Sequence, residues 1–331
     1  MIFERRLLTE SRGAGLVSKL WRVPWLFVLL LAGVAAIGYV ALWTAGSGNP
    51  DAYAQKHALR FGFCLVIMLS IAFIDIRLIL RFAWVGYAVA LALLVLVLFH
   101  GNIGKGAQRW LDLGFVRFQP SEIMKLAVPM MCAWYLRERS LPPDWRTLLV
   151  VATIILAPTA LTIAQPDLGT GLLILSSGAI VVLLAGLQVR VILALLAAGV
   201  GAAVVGWNFL HDYQRQRVLT FLDPQTDPLG AGYHIIQSTI AIGSGGITGK
   251  GYLQGTQGQL EFLPERSTDF VFAVIGEELG LLGALLLLAL YLAVVARALY
   301  LASQMHDTFA RLLSSSFATI FFVYVFINAG M

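Results

Sequence analysis

The chain has 331 residues, of which 59% are hydrophobic and only 12% charged, and its mean hydropathy is +0.82. That composition excludes a soluble globular enzyme and places the chain among polytopic membrane proteins, for which the bilayer is the solvent. A formal net charge of +5 and a sequence pI near 9.3 become questions of charge placement relative to the membrane, and no nucleic-acid partner is expected.

A hydrocarbon core about 30 Å thick calls for roughly 20 apolar residues per helix. Nine stretches meet or approach that length: 25–44, 58–74, 82–99, 122–137, 148–163, 170–186, 190–210, 270–296 and 309–328. The expected fold is an all-α polytopic membrane protein with about nine transmembrane helices, forming one membrane-embedded domain over residues 1–331. A long loop, 211–269, separates spans seven and eight. The first stretch lacks a small-residue cleavage site and is followed by eight more, so it is read as a span rather than a signal peptide. Cys64 and Cys132 both fall within spans and are read as small core residues, not as a disulfide or metal framework. Pro129 and Pro158 sit inside spans four and five, where each is expected to kink its helix.

With the N-terminus placed in the cytoplasm, thirteen of the 23 Lys and Arg residues fall in the short cytoplasmic segments. The other ten are spread over much longer outer loops, so the density bias follows the positive-inside rule. This orientation puts residues 45–57, 100–121, the link around Gln165 and the 211–269 loop on the far side, and the active face is expected to be extracytoplasmic. The chain then ends outside, at Asn328-Ala-Gly-Met331, and a further helix is expected beyond it.

The loop between spans three and four, Gly101 to Glu122, carries Lys105, Arg109 and Arg117 among glycines, on the side where cations are disfavoured. Glycine permits close backbone approach and arginine offers a planar fork to phosphate oxygens. A pyrophosphate or lipid headgroup suits this loop, while Trp110 suits an interfacial anchor equally well. Pro120-Ser-Glu122 opens span four, and Glu122 and Lys125 lie one turn apart on one face. An ionisable group in the bilayer costs about 2.5–3.5 kcal/mol on insertion scales, so the two read either as an ion pair fastening helices or as the border of a polar cavity. Asp167, in Gln165-Pro-Asp-Leu-Gly-Thr170, precedes span six and suits a helix cap or a ligand for a cation or sugar hydroxyl.

In the long loop, residues 235–242 suit a short interfacial helix. The run Gly243-Ser-Gly-Gly-Ile-Thr-Gly-Lys250 resembles a phosphate loop only superficially: it lacks the required spacing and follows no strand. Asp269 closes the loop at the start of span eight, at the membrane boundary where a lipid-linked substrate presents its sugars. There it reads as a helix cap or as an acid–base group, with the helix-end field favouring the carboxylate; neighbouring Arg266 is a partner for it or for phosphate. Glu277 and Glu278 lie deeper in span eight and need partners or a cavity.

Five motifs in order carry a resemblance over essentially the whole chain: Gly104-Lys-Gly-Ala-Gln-Arg-Trp-Leu, Arg117-Phe-Gln-Pro-Ser-Glu122, Gln165-Pro-Asp-Leu-Gly-Thr170, the stretch from Asp223 to Gly232, and Glu261-Phe-Leu-Pro-Glu-Arg-Ser-Thr-Asp-Phe270. Together they resemble the SEDS family, and the short N-terminal tail and the His211-Asp-Tyr-Gln-Arg-Gln-Arg run favour its elongation branch over its division branch. The family is described with ten helices, so the resemblance implies that the last span and its preceding loop are absent here. It implies polymerisation of lipid II into β-1,4-linked glycan strands in the bacterial inner membrane, at a periplasmic face, with undecaprenyl pyrophosphate leaving. It further implies that Asp269 is the catalytic aspartate and that Glu122, Lys125 and Asp167 line the central cavity. A class B penicillin-binding transpeptidase and other elongation-complex proteins are the implied partners.

An α-linked donor that yields a β bond inverts, so one base on the acceptor hydroxyl suffices and no carboxylate nucleophile is needed. Asp269 would be that base. Arg109, Arg117, Arg215, Arg217 or Arg266, or a divalent cation such as Mg or Mn with Asp269 as a ligand, would neutralise the leaving group. Two readings of other classes stand beside this one: a lipid II transporter using Glu122, Lys125 and Glu277, and a non-catalytic scaffold for the transpeptidase.

Overall fold

The computed structural model of the chain describes residues 20–330 apart from 22, 52, 101, 105–106, 113–116, 210–211, 229, 261 and 264–265. It is mainly helical, and its long helices coincide with the nine apolar stretches. In chain order these are α1 (Trp25–Ala45), α2 (Ala54–Ala72), α3 (Ile76–His100), α4 (Pro120–Leu136), α5 (Trp145–Ala164), α6 (Leu168–Leu184) and α7 (Val189–Trp207). The 211–269 region contributes α8 (Asp212–Leu222), α9 (Ala231–Ser244) and the single turn α10 (Thr256–Gln259), before α11 (Val271–Ser303) and α12 (Thr308–Gly330).

Seven of these helices, α1, α2, α3, α5, α7, α11 and α12, are long and apolar enough to cross a membrane. The other two expected spans are shorter. Helix α6 is apolar but has 17 residues, and α4, also of 17 residues, carries Glu122 and Lys125 in its first two turns. Local chemistry explains the helix starts. Pro120 occupies the first turn of α4, where a missing N–H costs nothing. Asp144 and Asp167 cap α5 and α6 by accepting the amides of Thr147 and Thr170.

Helix α4 is the hub, packing on α3, α5, α6 and α12. Its apolar face, Met124, Val128, Cys132 and Leu136, is wholly buried against Val151, Ile174, Val181 and Phe309. The outward faces of the helices remain apolar, as on α2, where Leu59, Phe63 and Val66 are each more than 60% exposed; this is the surface a bilayer covers. Cys132 fits the expected core role, whereas Cys64 is exposed on α2. Helix α7 stands apart from the bundle, with no buried side chain among its described residues.

Three features depart from an all-α, uninterrupted reading. The segment after α3 is a small antiparallel sheet: β1 (Asn102–Gly104), β2 (Ala107–Asp112) and β3 (Arg117–Phe118), with Ile103 opposite Gln108 and Leu111 opposite Phe118. In β2, Leu111 is buried between exposed Trp110 and Asp112, the alternation of faces that a strand imposes. The expected interfacial helix at 235–242 is α9, and it packs on α11 rather than lying alone, with Ala241, Leu263 and Ala273 buried together.

The third departure is a break in α11 at Gly280, whose φ of 64° and ψ of −163° lie outside helical space. In an unbroken helix the amides of Leu281 and Leu282 would bond to the carbonyls of Glu277 and Glu278. Here they bond instead to the carbonyls of Gly246 and Ile247, at 3.0 and 3.1 Å, while the amides of Lys250 and Gly251 take the Glu277 and Glu278 carbonyls, at 3.0 and 3.1 Å. The glycine-rich strap 245–259 has therefore inserted itself into the helix. Side-chain atoms at Gly245 or Gly249 would collide with the carbonyls of Gly276 or Glu278, which is why the strap is built of glycine.

Candidate active site

The N-terminal ends of α4 and α11 carry three of the expected site residues, Glu122, Lys125 and Asp269. Glu122 and Lys125 pair across one turn of α4, with Nζ to Oε1 at 2.8 Å; the lysine side chain is 14% exposed and the glutamate 56%. The Lys125 ammonium also lies 5.3 Å from the ring centroid of Tyr324 on α12, a cation–π contact. Tyr324 in turn lines a cleft of about 270 Å³ with Asp269, Thr268, Phe272, Tyr291, Phe321 and Asn328. Asp269 and the Glu122–Lys125 pair thus meet through Tyr324, a residue that no sequence pattern singled out.

Asp269 does not cap α11. Phe270 occupies the N-cap position and makes no side-chain capping hydrogen bond. Among the described residues, no hydrogen bond or ion pair engages its carboxylate, which is exposed at the rim of the cleft. The helix-cap alternative therefore falls away, and the group stands open to a substrate. Beneath it, His234 of α9 stacks on Phe270 with centroids 5.9 Å apart.

Asp167 takes the structural part of its two readings. Buried to 7% exposure, it accepts the Thr170 hydroxyl at 2.9 Å and the Gln119 side-chain amide at 3.3 Å. Gln119 is the N-cap residue of α4, so Asp167 ties the start of the helix bearing Glu122 and Lys125 to the start of α6. Gln165 adds a second tie, donating to the Leu94 carbonyl of α3 at 2.8 Å.

The arginines divide. Arg117 is 79% exposed and pairs loosely with Asp112 at 3.5 Å within the sheet. Arg215 donates to the last carbonyls of α7, Trp207 and Asn208, at 3.0 and 2.9 Å, so here it serves as a helix C-cap. Arg266 donates to the Gly258 carbonyl, and no ion pair joins it to Asp269 among the described residues. The side chains of Arg109 and Arg217 lie outside the described part of the structure. Trp110 is 40% exposed on β2, away from the cleft lining.

The two buried acids of α11 find their partners in the strap. Glu277, fully buried, accepts the Lys250 ammonium at 2.7 Å, the Thr256 hydroxyl at 3.1 Å and the amides of Gln257 and Gly258 at 2.9 and 3.2 Å. Glu278 engages the Thr44 hydroxyl of α1 and the amides of Leu253 and Gly255. Tyr252 packs edge-on against Trp43; burial, then the nearby Glu278 carboxylate, pushes its phenol above the ordinary range. The demand for a cation opposite Glu277 was readable from its depth in an apolar span, and Lys250 was an unassigned cation on the same side.

The described residues contain no group of three or more His, Cys, Asp or Glu side chains placed to hold a metal. A divalent ion at Asp269 would draw its remaining ligands from substrate phosphates and water, a mode that suits Mg.

Comparison with known proteins places this geometry in context. A family model described as "Cell cycle protein", FTSW_RODA_SPOVE, matches residues 21–331. The peptidoglycan glycosyltransferase MrdB of Escherichia coli K12 is 48% identical over 305 residues, covering 92% of this chain and 82% of that protein. A chain in a solved peptidoglycan synthase complex, studied for the structural coordination of polymerization and crosslinking, superposes with a TM-score of 0.77 at 36% identity, covering 92% of this chain and 86% of that one. The crystal structure of the rod shape determining protein RodA of Thermus thermophilus superposes with a TM-score of 0.66 at 29% identity, covering 94% of this chain and 85% of that one.

Proposed function

We propose, from the premise that this chain belongs to the FtsW/RodA/SpoVE family, that it is a peptidoglycan glycosyltransferase of the elongation type, polymerising lipid II at the end of the bundle where Asp269 opens. The observation that carries the proposal is the cleft shared by Asp269 and Tyr324, with Lys125 held against the tyrosine ring. It sets a carboxylate without a partner among the described residues at the cleft, with an ammonium behind Tyr324, one of the cleft's walls. Glycosyl transfer from a pyrophosphate donor needs both signs: a base for the acceptor hydroxyl and a cation for the departing phosphates.

In this reading Asp269 takes the proton from the C4 hydroxyl of the acceptor's glucosaminyl sugar as that oxygen bonds to C1 of the donor's muramoyl sugar. The C1–phosphate bond breaks with its electron pair, and undecaprenyl pyrophosphate leaves. Lys125, held behind Tyr324, is the cation proposed for that charge, beside Arg109 and Arg217, whose side chains lie outside the described residues; Arg215 is engaged with α7, Arg117 with Asp112 and Arg266 with Gly258. Glu122 holds Lys125 in place, and Asp167 ties the α4 terminus through Gln119. An Mg or Mn ion bound with the pyrophosphate would add positive charge at the same place. The apolar outer faces keep the polyprenyl chain in the bilayer, and the active end is proposed to face the periplasm of the bacterial inner membrane.

The partner proposed for this chain is a class B penicillin-binding transpeptidase, acting with other elongation-complex proteins; the resemblance to a chain of a peptidoglycan synthase complex supports it. Reconstitution in liposomes with lipid II separates enzyme from transporter. The expected outcome is glycan strands, with formation dependent on Asp269. Movement of lipid II between leaflets without strand formation would favour transport, and neither activity, with a transpeptidase bound, would favour a scaffold.

A further inference from the structure

We infer that the buried Lys250–Glu277 pair is a positioning lock for Asp269, a role that rests on the glycosyltransferase reading above. The carboxylate of Asp269 has no side-chain partner among the described residues, so its place is set through the backbone that leads to it. That backbone is anchored in steps. Glu277 holds α10 by its first amides, Gln257 and Gly258, at 2.9 and 3.2 Å. The carbonyl of Gly258 holds the Arg266 guanidinium. Arg266 stands three residues before Asp269, in the turn that enters α11.

The lock closes on both sides. Lys250 bonds the Glu277 carboxylate through Nζ at 2.7 Å and the Glu277 carbonyl through its own amide at 3.0 Å, and it donates to the Thr256 hydroxyl at 2.8 Å. One residue therefore joins the strap, the break in α11 and the start of α10. Glu277 has no exposed surface and Lys250 only 26%. A buried charge left without its partner destabilises its surroundings far more than an exposed one, so the pair resists any arrangement in which the strap has slipped. A catalytic group displaced by about 1 Å loses on the order of 10²-fold in rate, which is the sensitivity such a lock serves.

Neither residue touches the cleft, so both act through Asp269 and its turn. In purified full-length chain, Glu277→Gln and Lys250→Met are each expected to lower kcat for lipid II polymerisation by about 10- to 100-fold, with KM changed by less than about threefold. Lys250→Arg, which keeps the charge, is expected to restore most of kcat. Amide hydrogen exchange over residues 266–272, measured without substrate on the folded fraction, is expected to speed up in Glu277→Gln and Lys250→Met and to stay slow in Lys250→Arg. Wild-type kcat with unchanged exchange in folded Glu277→Gln would overturn the lock. So would a loss of activity that only tracks the amount of folded protein. Faster exchange in the variants alongside a wild-type chain that makes no glycan would sink the glycosyltransferase reading and leave the mechanical link standing.

Discussion

Asp269→Asn is expected to lower glycan-strand formation by about 10²- to 10⁴-fold, the span that removal of a general base produces, with melting temperature and membrane insertion unchanged. The substitution keeps the size and shape of the side chain and removes only its capacity to take a proton. The structure predicts a silent effect on folding because Asp269 neither caps α11 nor pairs with a cation among the described residues. Polymerisation rate in detergent, read beside a thermal melt, checks both halves. A stability loss in Asp269→Asn would mean that the carboxylate has a structural partner after all.

Gly280→Ala is expected to have the largest structural effect. Its φ of 64° with ψ near −163° belongs to a region open to glycine and almost no other residue, and occupying it otherwise costs about 1–3 kcal/mol. A β-carbon there would also collide with the Gly249 amide nitrogen and approach the Ile247 carbonyl carbon to 2.8 Å. Relief requires either an unbroken α11 or expulsion of the strap. Either course forfeits the exchanged backbone bonds at Gly246, Ile247, Lys250 and Gly251 and strands Glu277 in an apolar helix. Lower melting temperature, proteolytic cleavage within 245–259 and loss of polymerisation are expected together. Wild-type stability in this variant would contradict the inserted-strap geometry.

Much of this organisation is legible in the sequence, because a bilayer imposes a simple rule of length and polarity. The nine apolar stretches reappear as helices, although α3 starts at Ile76 rather than 82 and α11 runs on to Ser303 rather than 296, and α4 is found despite Glu122 and Lys125, which pair at 2.8 Å. The sheet between α3 and α4 was hidden among glycines and cations that read as a headgroup loop, and Ala107 to Asp112 carries no clear apolar–polar alternation to signal a strand. The break in α11 was hidden for a different reason. Gly280 sits in an apolar run where an isolated glycine usually signals packing, and only the strap, 30 residues upstream, explains it.

At the site, Asp269 is the first candidate for chemistry and Asp167 the second, but each, as an acid before a helix, also suits a cap. The structure separates them: Asp167 caps its helix and tethers Gln119, whereas Asp269 is free of that duty. Arginines were the natural candidates for the leaving group because of their fork geometry, yet Arg215 and Arg266 spend theirs on backbone carbonyls. Lys125 lies against Tyr324, which lines the cleft with Asp269, and the place of Tyr324 on α12 depends on packing that no local pattern encodes.

The central claim is a single displacement at C1 with Asp269 as base, and the anomeric configuration of the product tests it most directly. Purified chain supplied with α-linked lipid II should yield solely β-1,4-linked glycan, releasing one undecaprenyl pyrophosphate per bond formed, with no sugar attached to the protein at any stage. An α-linked product would contradict it, since one direct displacement inverts C1, and so would a glycosyl adduct on Asp269 detected by mass spectrometry, which would make the carboxylate a nucleophile rather than a base.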